Sequence, residues 1–283
     1  MTCLTDNKIS KYQRSYWDNL SAHYQRVMEI STDDFHYGPQ IPGESRLRLL
    51  PPLGSGMRAL ELGCGGGQNS VWLAKRGLSC EAFDISAEQL KHARALAHRE
   101  GVEISFVKGE LDCWPACFKG PYDLIHSSHA LEFADDPACV ITRAARALRP
   151  GGTLVISTVH PLYNGDWVEG VDEKGDPDGM GLFLRNYFNP PDDIRRKNGR
   201  VEVISRAYPV SSWFRWMRDA GLDVVAIEEP AELDETLPDG TKAKPPYTNV
   251  DWANTEGELA AIPGTLILVA RLAGPRGDRK CEI

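Results

Sequence analysis

Seven consecutive residues carry most of the chemical information: Glu61-Leu62-Gly63-Cys64-Gly65-Gly66-Gly67. Glycines at this density permit a tight turn and let a ligand touch the backbone. Asp84 follows 23 residues after Glu61, where an acid at the end of the next strand hydrogen-bonds the two hydroxyls of a ribose. Together they point to a nucleoside-containing ligand. A dinucleotide fingerprint would place its third glycine at position 68, which is Gln68. A phosphate-binding loop needs Gly-Lys-Ser/Thr, and the loop has no lysine. Glu61 is poorly suited to a pyrophosphate and well suited to a cation. S-adenosylmethionine, with its ribose, adenine, sulfonium and ammonium, is such a ligand.

Two histidines are candidates for the chemistry beside it. His129 follows one predicted strand and His160 follows the next; either can orient or deprotonate an acceptor. His126 lies inside a strand and is expected to be structural. His126 and His129 point to opposite faces of that strand, and Cys113-x-x-x-Cys117 has no second ligand pair nearby. No metal is therefore expected.

These residues need a scaffold that brings strand ends together. Periodic apolar positions predict a helix over residues 10–30. From residue 58 strands and helices alternate. Strands are predicted at Arg58–Leu62, Ser79–Phe83, Glu103–Val107, Tyr122–Ser127 and Thr153–Ser157. A helix through Val71 to Ala74 stops at Gly77, Ser86-Ala87-Glu88-Gln89 reads as a capping box, and Asp136-Pro137 opens a helix that ends before Pro150-Gly151-Gly152. Ser211 is expected to cap a further helix, followed by strands at Asp223–Ile227 and Thr265–Ala270. The 163–200 stretch is too long for a simple connection, so a cap is expected there, with Leu182–Phe188 and Val201–Tyr208 as candidates to pair as a hairpin. Residues 230–263 read as a long loop. The pattern gives an α/β, doubly wound, mostly parallel sheet whose ligand lies outside the carboxyl ends of the strands.

On Leu60 to Gly67, Asp84, Gly109-Glu110, Leu148-Arg149-Pro150-Gly151-Gly152 and Asp219-Ala220-Gly221, the sequence resembles the class I S-adenosylmethionine-dependent methyltransferases, over roughly residues 57–160 and more loosely in the flanks. The resemblance implies a seven-stranded sheet with the final strand antiparallel, inserted between strands five and six. It implies S-adenosylmethionine as cofactor and S-adenosylhomocysteine as product. Its cofactor-binding positions fall on Glu61, Gly63, Cys64, Gly65, Gly67, Asn69, Asp84, Ile85, Gln89, Glu110, Leu111, Ser127 and Tyr24. Glu110 departs from the aspartate usual at the adenine. The N-terminal helix and the His36-Tyr37-Gly38-Pro39 loop are expected to form a lid. His36, Tyr37, Tyr16, Trp167, Tyr187 and Trp213 are expected to line an acceptor pocket, and His129 and His160 to stand at the reacting centre.

The chain has 283 residues and a net charge of −8, without the basic footprint of a nucleic-acid binder. No apolar run approaches a membrane span. Seven scattered cysteines do not resemble a disulfide framework, and the opening residues show no secretory signal. The expectation is a cytoplasmic enzyme, monomer or homodimer, that methylates a small organic molecule at O or N without nucleic-acid or membrane partners. Its expected division is a lid over 1–56, a methyltransferase domain over 57–272 with a cap at 163–208, and a tail at 273–283. The rival readings are a nicotinamide-dependent oxidoreductase and a non-catalytic S-adenosylmethionine-binding regulatory protein.

Overall fold

The computed structural model describes residues 9–175, 177–249 and 262–274. In chain order the elements are α1 (Ser10–Val27), β1 (Met28–Ile30), α2 (Glu44–Leu47), β2 (Arg58–Leu62), α3 (Gln68–Ala74), β3 (Ser79–Asp84), α4 (Ala87–Arg99), β4 (Ile104–Lys108), β5 (Tyr122–Ser128), α5 (Pro137–Ala147), β6 (Leu148–Val159), β7 (Asp166–Val171), β8 (Pro177–Phe183), β9 (Asp193–Lys197), β10 (Arg200–Ser205), α6 (Val210–Asp219), β11 (Leu222–Glu228), β12 (Tyr247–Asn249) and β13 (Thr265–Leu272).

Seven strands form the main sheet in the order β11-β13-β6-β5-β2-β3-β4. The pairings from β6 through β5, β2, β3 and β4 are parallel, while β13 runs antiparallel to both β6 and β11. β2 is the first strand of the wound sheet, and its neighbours β3 and β5 leave in opposite directions, so the switch point lies at the β2 carboxyl end. Glu61 and the glycine loop sit there. Six of the eight β13 residues, Thr265 to Ala270, are buried, as a strand covered on both faces must be. One face packs Leu131, Val140, Ile141, Trp213 and Met217; the other packs Phe35, Tyr37, Trp72 and Leu73.

The caps follow local chemistry. Asp136 accepts from Cys139 N at 3.0 Å to start α5. Ser86 accepts from Gln89 N at 3.1 Å to start α4, but the reciprocal half of the predicted box is not made, because the Gln89 side chain turns to Gln25. The helix expected to be capped by Ser211 begins one residue earlier, at Val210, with Pro209 before it and no side-chain cap. Proline has φ already set for a helix entrance.

The cap region corrects the pairing read from sequence. Leu182–Phe188 does not pair with Val201–Tyr208. Instead β7 pairs with β8, and β9 pairs with β10 across Asn198-Gly199. Both Asn198 (φ 50°) and Gly199 (φ 77°) are left-handed, as a two-residue hairpin turn requires. The 230–263 segment is not loop throughout: β12 pairs with β1, with Glu29 opposite Thr248. Residues 250–261 and the expected tail beyond 274 lie outside the described residues. No described helix is long and apolar enough to cross a membrane.

Candidate active site

The β2–α3 turn builds one wall of a cavity of about 120 Å³ that Glu61, Gly63, Cys64, Gly65, Asp84, Ile85, Gln89, Glu110, Leu111, Tyr24 and His36 line. Asp84 Oδ2 accepts from Gly65 N at 2.9 Å and its Oδ1 from Ser86 N at 2.8 Å. The carboxylate thereby holds the glycine loop and the α4 entrance in place. Burial keeps the Asp84 carboxyl above the usual carboxylate range. Glu61 is 4% exposed, and its Oε2 accepts from Ser70 N at 3.1 Å and from the Ser70 hydroxyl. Burial pushes its carboxyl up to about 8, which the Ser70 bonds oppose. A Cβ added at Gly65 (φ 51°) would meet nothing within 4 Å, so the turn leaves an open cradle.

Helix α1 closes this cavity through polar contacts. Asp18 Oδ1 accepts from the Ser86 hydroxyl at 2.7 Å and from Glu88 N at 3.2 Å. Gln25 donates to Gln89 Oε1 and accepts from Gln68 Nε2, both at 2.9 Å. Arg14 forms an ion pair with Glu110.

A second cavity of about 770 Å³ adjoins the first, between α1, the strand ends and the cap hairpins. Trp17, Tyr24, His129, Phe133 and Tyr247 line both. The Tyr24 and Tyr247 phenols hydrogen-bond each other, and burial pushes Tyr24 up to about 12 and Tyr247 well above the usual tyrosine range. Trp17 meets Tyr16, Tyr24 and Phe133 edge-on, with centroids 5.3, 5.5 and 5.6 Å apart. His129, at φ 49°, places Nε2 3.1 Å from Thr265 Oγ1 and Nδ1 3.5 Å from Glu132 Oε1.

Several residues expected at the site stand elsewhere. Asn69 is fully committed: its Oδ1 accepts from His36 N and its Nδ2 donates to His36 O, both at 2.9 Å. It clamps the 35–38 loop and does not line the cavity. Ser127 faces the other side of its strand and donates to Leu62 O at 2.9 Å; its neighbour Ser128 lines the cavity instead, as strand alternation dictates. Gly67 is the α3 N-cap and abuts Ala93 and Phe106 rather than the cavity.

Tyr37 is wholly buried and donates to Glu44, and Trp213 is 1% exposed in the core. Neither reaches the large cavity, which Tyr16 and Tyr187 do line. Trp167 stands in β7, with its side chain outside the described residues. His160 is buried away from both cavities. Its Nδ1 accepts from Leu162 N at 3.2 Å in the turn after β6, and its Nε2 lies 2.8 Å from Glu229 Oε1 just past the end of β11, so both ring nitrogens are engaged. Burial lowers its pKa, against the Glu229 interaction.

His126 is buried against the Phe35 ring, with centroids 5.1 Å apart, and burial pushes it down to about 3. Sequence reasoning missed Trp17, Gln25, Glu132, Phe133 and Tyr247. Glu132 carried a signal, being one helical turn after His129; Tyr247 carried none, because its place depends on the β1–β12 pairing.

The family model described as "Methyltransferase domain" matches residues 35–227, more than half of the chain. The chain is 35% identical over 167 residues to a ubiquinone biosynthesis O-methyltransferase of Xylella fastidiosa, covering 56% of this chain and 65% of that one. The chain thus spans under two thirds of that relative's length. A ubiquinone biosynthesis O-methyltransferase of Xanthomonas euvesicatoria is 29% identical, over 74% of this chain and 99% of its own. Among solved structures, an S-adenosylmethionine-dependent methyltransferase from Mesorhizobium loti superimposes with a TM-score of 0.59 at 24% identity, covering 79% of this chain and 94% of that one. Motif order, sheet order and family match agree: the chain belongs to the class I S-adenosylmethionine-dependent methyltransferases.

Proposed function

We propose that the chain transfers a methyl group from S-adenosylmethionine to an oxygen of a small organic acceptor. The observation that carries this reading is the junction of the two cavities. A small cavity with two buried carboxylates and a glycine cradle opens into a larger one through a shared aromatic wall. Its donor set suits the cofactor. Asp84 has its backbone partners on one side and remaining lone pairs for ribose hydroxyls. Glu61 gives a negative charge to the cationic methionine end. Glu110 and Leu111 stand at the adenine end, where the Arg14 pair closes the cavity. Gly63, Cys64, Gly65, Ile85, Gln89 and Tyr24 complete the surround. The large cavity, with Tyr16 and Tyr187 on its wall, takes the acceptor; His36, expected in the acceptor pocket, lines the small cavity instead.

Bound S-adenosylmethionine supplies an activated methyl on a sulfonium that leaves as a neutral thioether. The protein's part is alignment and water exclusion. The α1 lid and the Trp17–Phe133 wall exclude water, and the paired phenols, neutral throughout the working pH range, orient polar groups without competing for charge. The choice of oxygen as acceptor is supported by the likeness to the two ubiquinone biosynthesis O-methyltransferases above. The reading treats 57–272 as the catalytic domain with 1–56 as its lid, and takes the reaction to be cytoplasmic, in line with an acidic chain of scattered cysteines.

Thermal shift with S-adenosylhomocysteine and with NAD, followed by transfer of a labelled methyl group to a panel of hydroxylated small molecules, tests this. Stabilisation by S-adenosylhomocysteine and label in an ether product are expected. Stabilisation by NAD alone would refute it.

A further inference from the structure

The end of β5 is built around one ring. His129 adopts a left-handed backbone, a conformation that disfavours side-chain-bearing residues, and its N–H donates to Ser157 O at 2.9 Å. Gly38 passes directly above the ring: a Cβ there would lie 2.5 Å from His129 Nε2. Only glycine leaves the ring its place. The ring lines both cavities, where the methyl must cross.

Glu132 supplies the second observation. It is 4% exposed, its Oε2 accepts from Thr158 Oγ1 at 3.2 Å, and its Oε1 lies 3.5 Å from His129 Nδ1. Among the described residues no lysine or arginine pairs with it. A buried carboxylate without a standing cation is costly unless a charge arrives. The imidazole provides that charge when it takes a proton. With Nδ1–H toward Glu132, Nε2 presents its lone pair to the cavity and to Thr265 Oγ1 at 3.1 Å. An acceptor hydroxyl can replace the threonine there. The other titratable groups facing the ring are Tyr24 from α1, Tyr247 from β12 and His36 from the 35–38 loop. Burial raises both phenols and pushes His36 down to about 3, so all three stay neutral and leave His129 as the proton acceptor.

We propose that His129 is the catalytic base of the transfer, with Glu132 the positioning residue that fixes its ring and stabilises the imidazolium. This rests on the methyl-transfer reading above. As the acceptor oxygen bonds to the methyl carbon, the C–S bond breaks and its electron pair stays on sulfur. The O–H bond breaks and its proton passes to Nε2. Products are an ether, a neutral thioether and an imidazolium that returns its proton to water.

The test uses the full chain with S-adenosylmethionine carrying a labelled methyl group and catechol, whose hydroxyls stay protonated at neutral pH and so need a base. His129→Asn keeps a residue that tolerates the left-handed backbone. It is expected to lower kcat by about 10²–10⁴-fold, with S-adenosylhomocysteine affinity unchanged. Glu132→Gln is expected to lower kcat about tenfold and to move the acidic limb of the pH–rate profile to lower pH, because the imidazolium loses its counter-charge. A merely structural role would not move that limb. If Glu132→Gln fails to fold, Thr158→Val takes its place: it keeps the carboxylate but removes a donor that shares it, so the hold on the imidazolium strengthens and a smaller shift of the limb, to higher pH, is expected. A His129→Asn variant within threefold of wild type, an unmoved limb, or a wild-type chain that binds S-adenosylhomocysteine but leaves catechol unmethylated would overturn the proposal. Failure of the wild-type chain to bind S-adenosylhomocysteine would instead overturn the methyl-transfer reading beneath it.

Discussion

Replacing Glu61 by glutamine isolates a buried charge. Burial lifts this carboxyl from 4.5 to about 8 in the ligand-free chain. Below pH 4.5 it is protonated both folded and unfolded. Between 4.5 and about 8 the unfolded chain releases the proton while the folded chain keeps it, so stability falls as pH rises through that window. Binding of a cationic ligand has the opposite preference, because it needs the ionised carboxylate. A group titrating near 8 is about 1% ionised at pH 6, and apparent affinity scales with the competent fraction. S-adenosylmethionine should therefore bind about 100-fold more weakly at pH 6 than at pH 9 through this group alone. The ligand's own ammonium titrates in the same range, so the comparison is between the wild type and Glu61→Gln. The glutamine keeps an acceptor for Ser70 N and cannot ionise. Calorimetric titration across pH 6–9 should show the steep dependence in the wild type and a shallow one in the variant. Chemical denaturation should show the variant's stability nearly flat where the wild type's declines. Parallel pH profiles in the two proteins would refute the assignment of Glu61 as the buried, titrating partner of the cation.

Asp84→Ala removes an ionised acceptor worth about 1.5–3 kcal/mol per hydrogen bond, so S-adenosylhomocysteine affinity by calorimetry should fall at least tenfold with circular dichroism unchanged. His160→Ala takes away a turn cap and the Glu229 contact; it should lower stability by about 1–2 kcal/mol in urea denaturation and leave cofactor affinity unaltered. Trp213→Ala opens a void in the core beneath α6, and unfolding should become easier by about 3–5 kcal/mol, read as a lower urea midpoint.

Much of the scaffold was legible because its signals are local. Glycine spacing, the apolar strands and the Ser86 and Asp136 caps each act within a few residues, and the strand ends they imply carry Glu61, Asp84, Glu110 and His129 to one edge. Sequence and structure part where a distant partner decides. Asn69 has the polarity of a ligand contact, but the 35–38 loop lands on it and uses every hydrogen-bonding group. Trp213 and Tyr37 have the size and chemistry of pocket walls, yet burying that area against the sheet is the more favourable use of it. His160 follows its strand as a catalytic residue would, but the turn it starts takes one ring nitrogen and the distant Glu229 takes the other. The cap pairing failed for a related reason. Two-residue turn chemistry at Asn198-Gly199 outweighs strand propensity at Leu182–Phe188, and Tyr247 reaches the site only because β12 finds β1 across 217 residues.

On the proposed reading the two cavities are donor and acceptor halves meeting at His129. A crystal structure with S-adenosylhomocysteine tests it most directly. Expected are ribose hydroxyls on Asp84, adenine beside Glu110 and Leu111, and the sulfur at the opening bounded by Trp17, Tyr24, His129, Phe133 and Tyr247, facing the large cavity. A sulfur turned away from that opening, or a nucleoside bound elsewhere than the glycine loop, would contradict it.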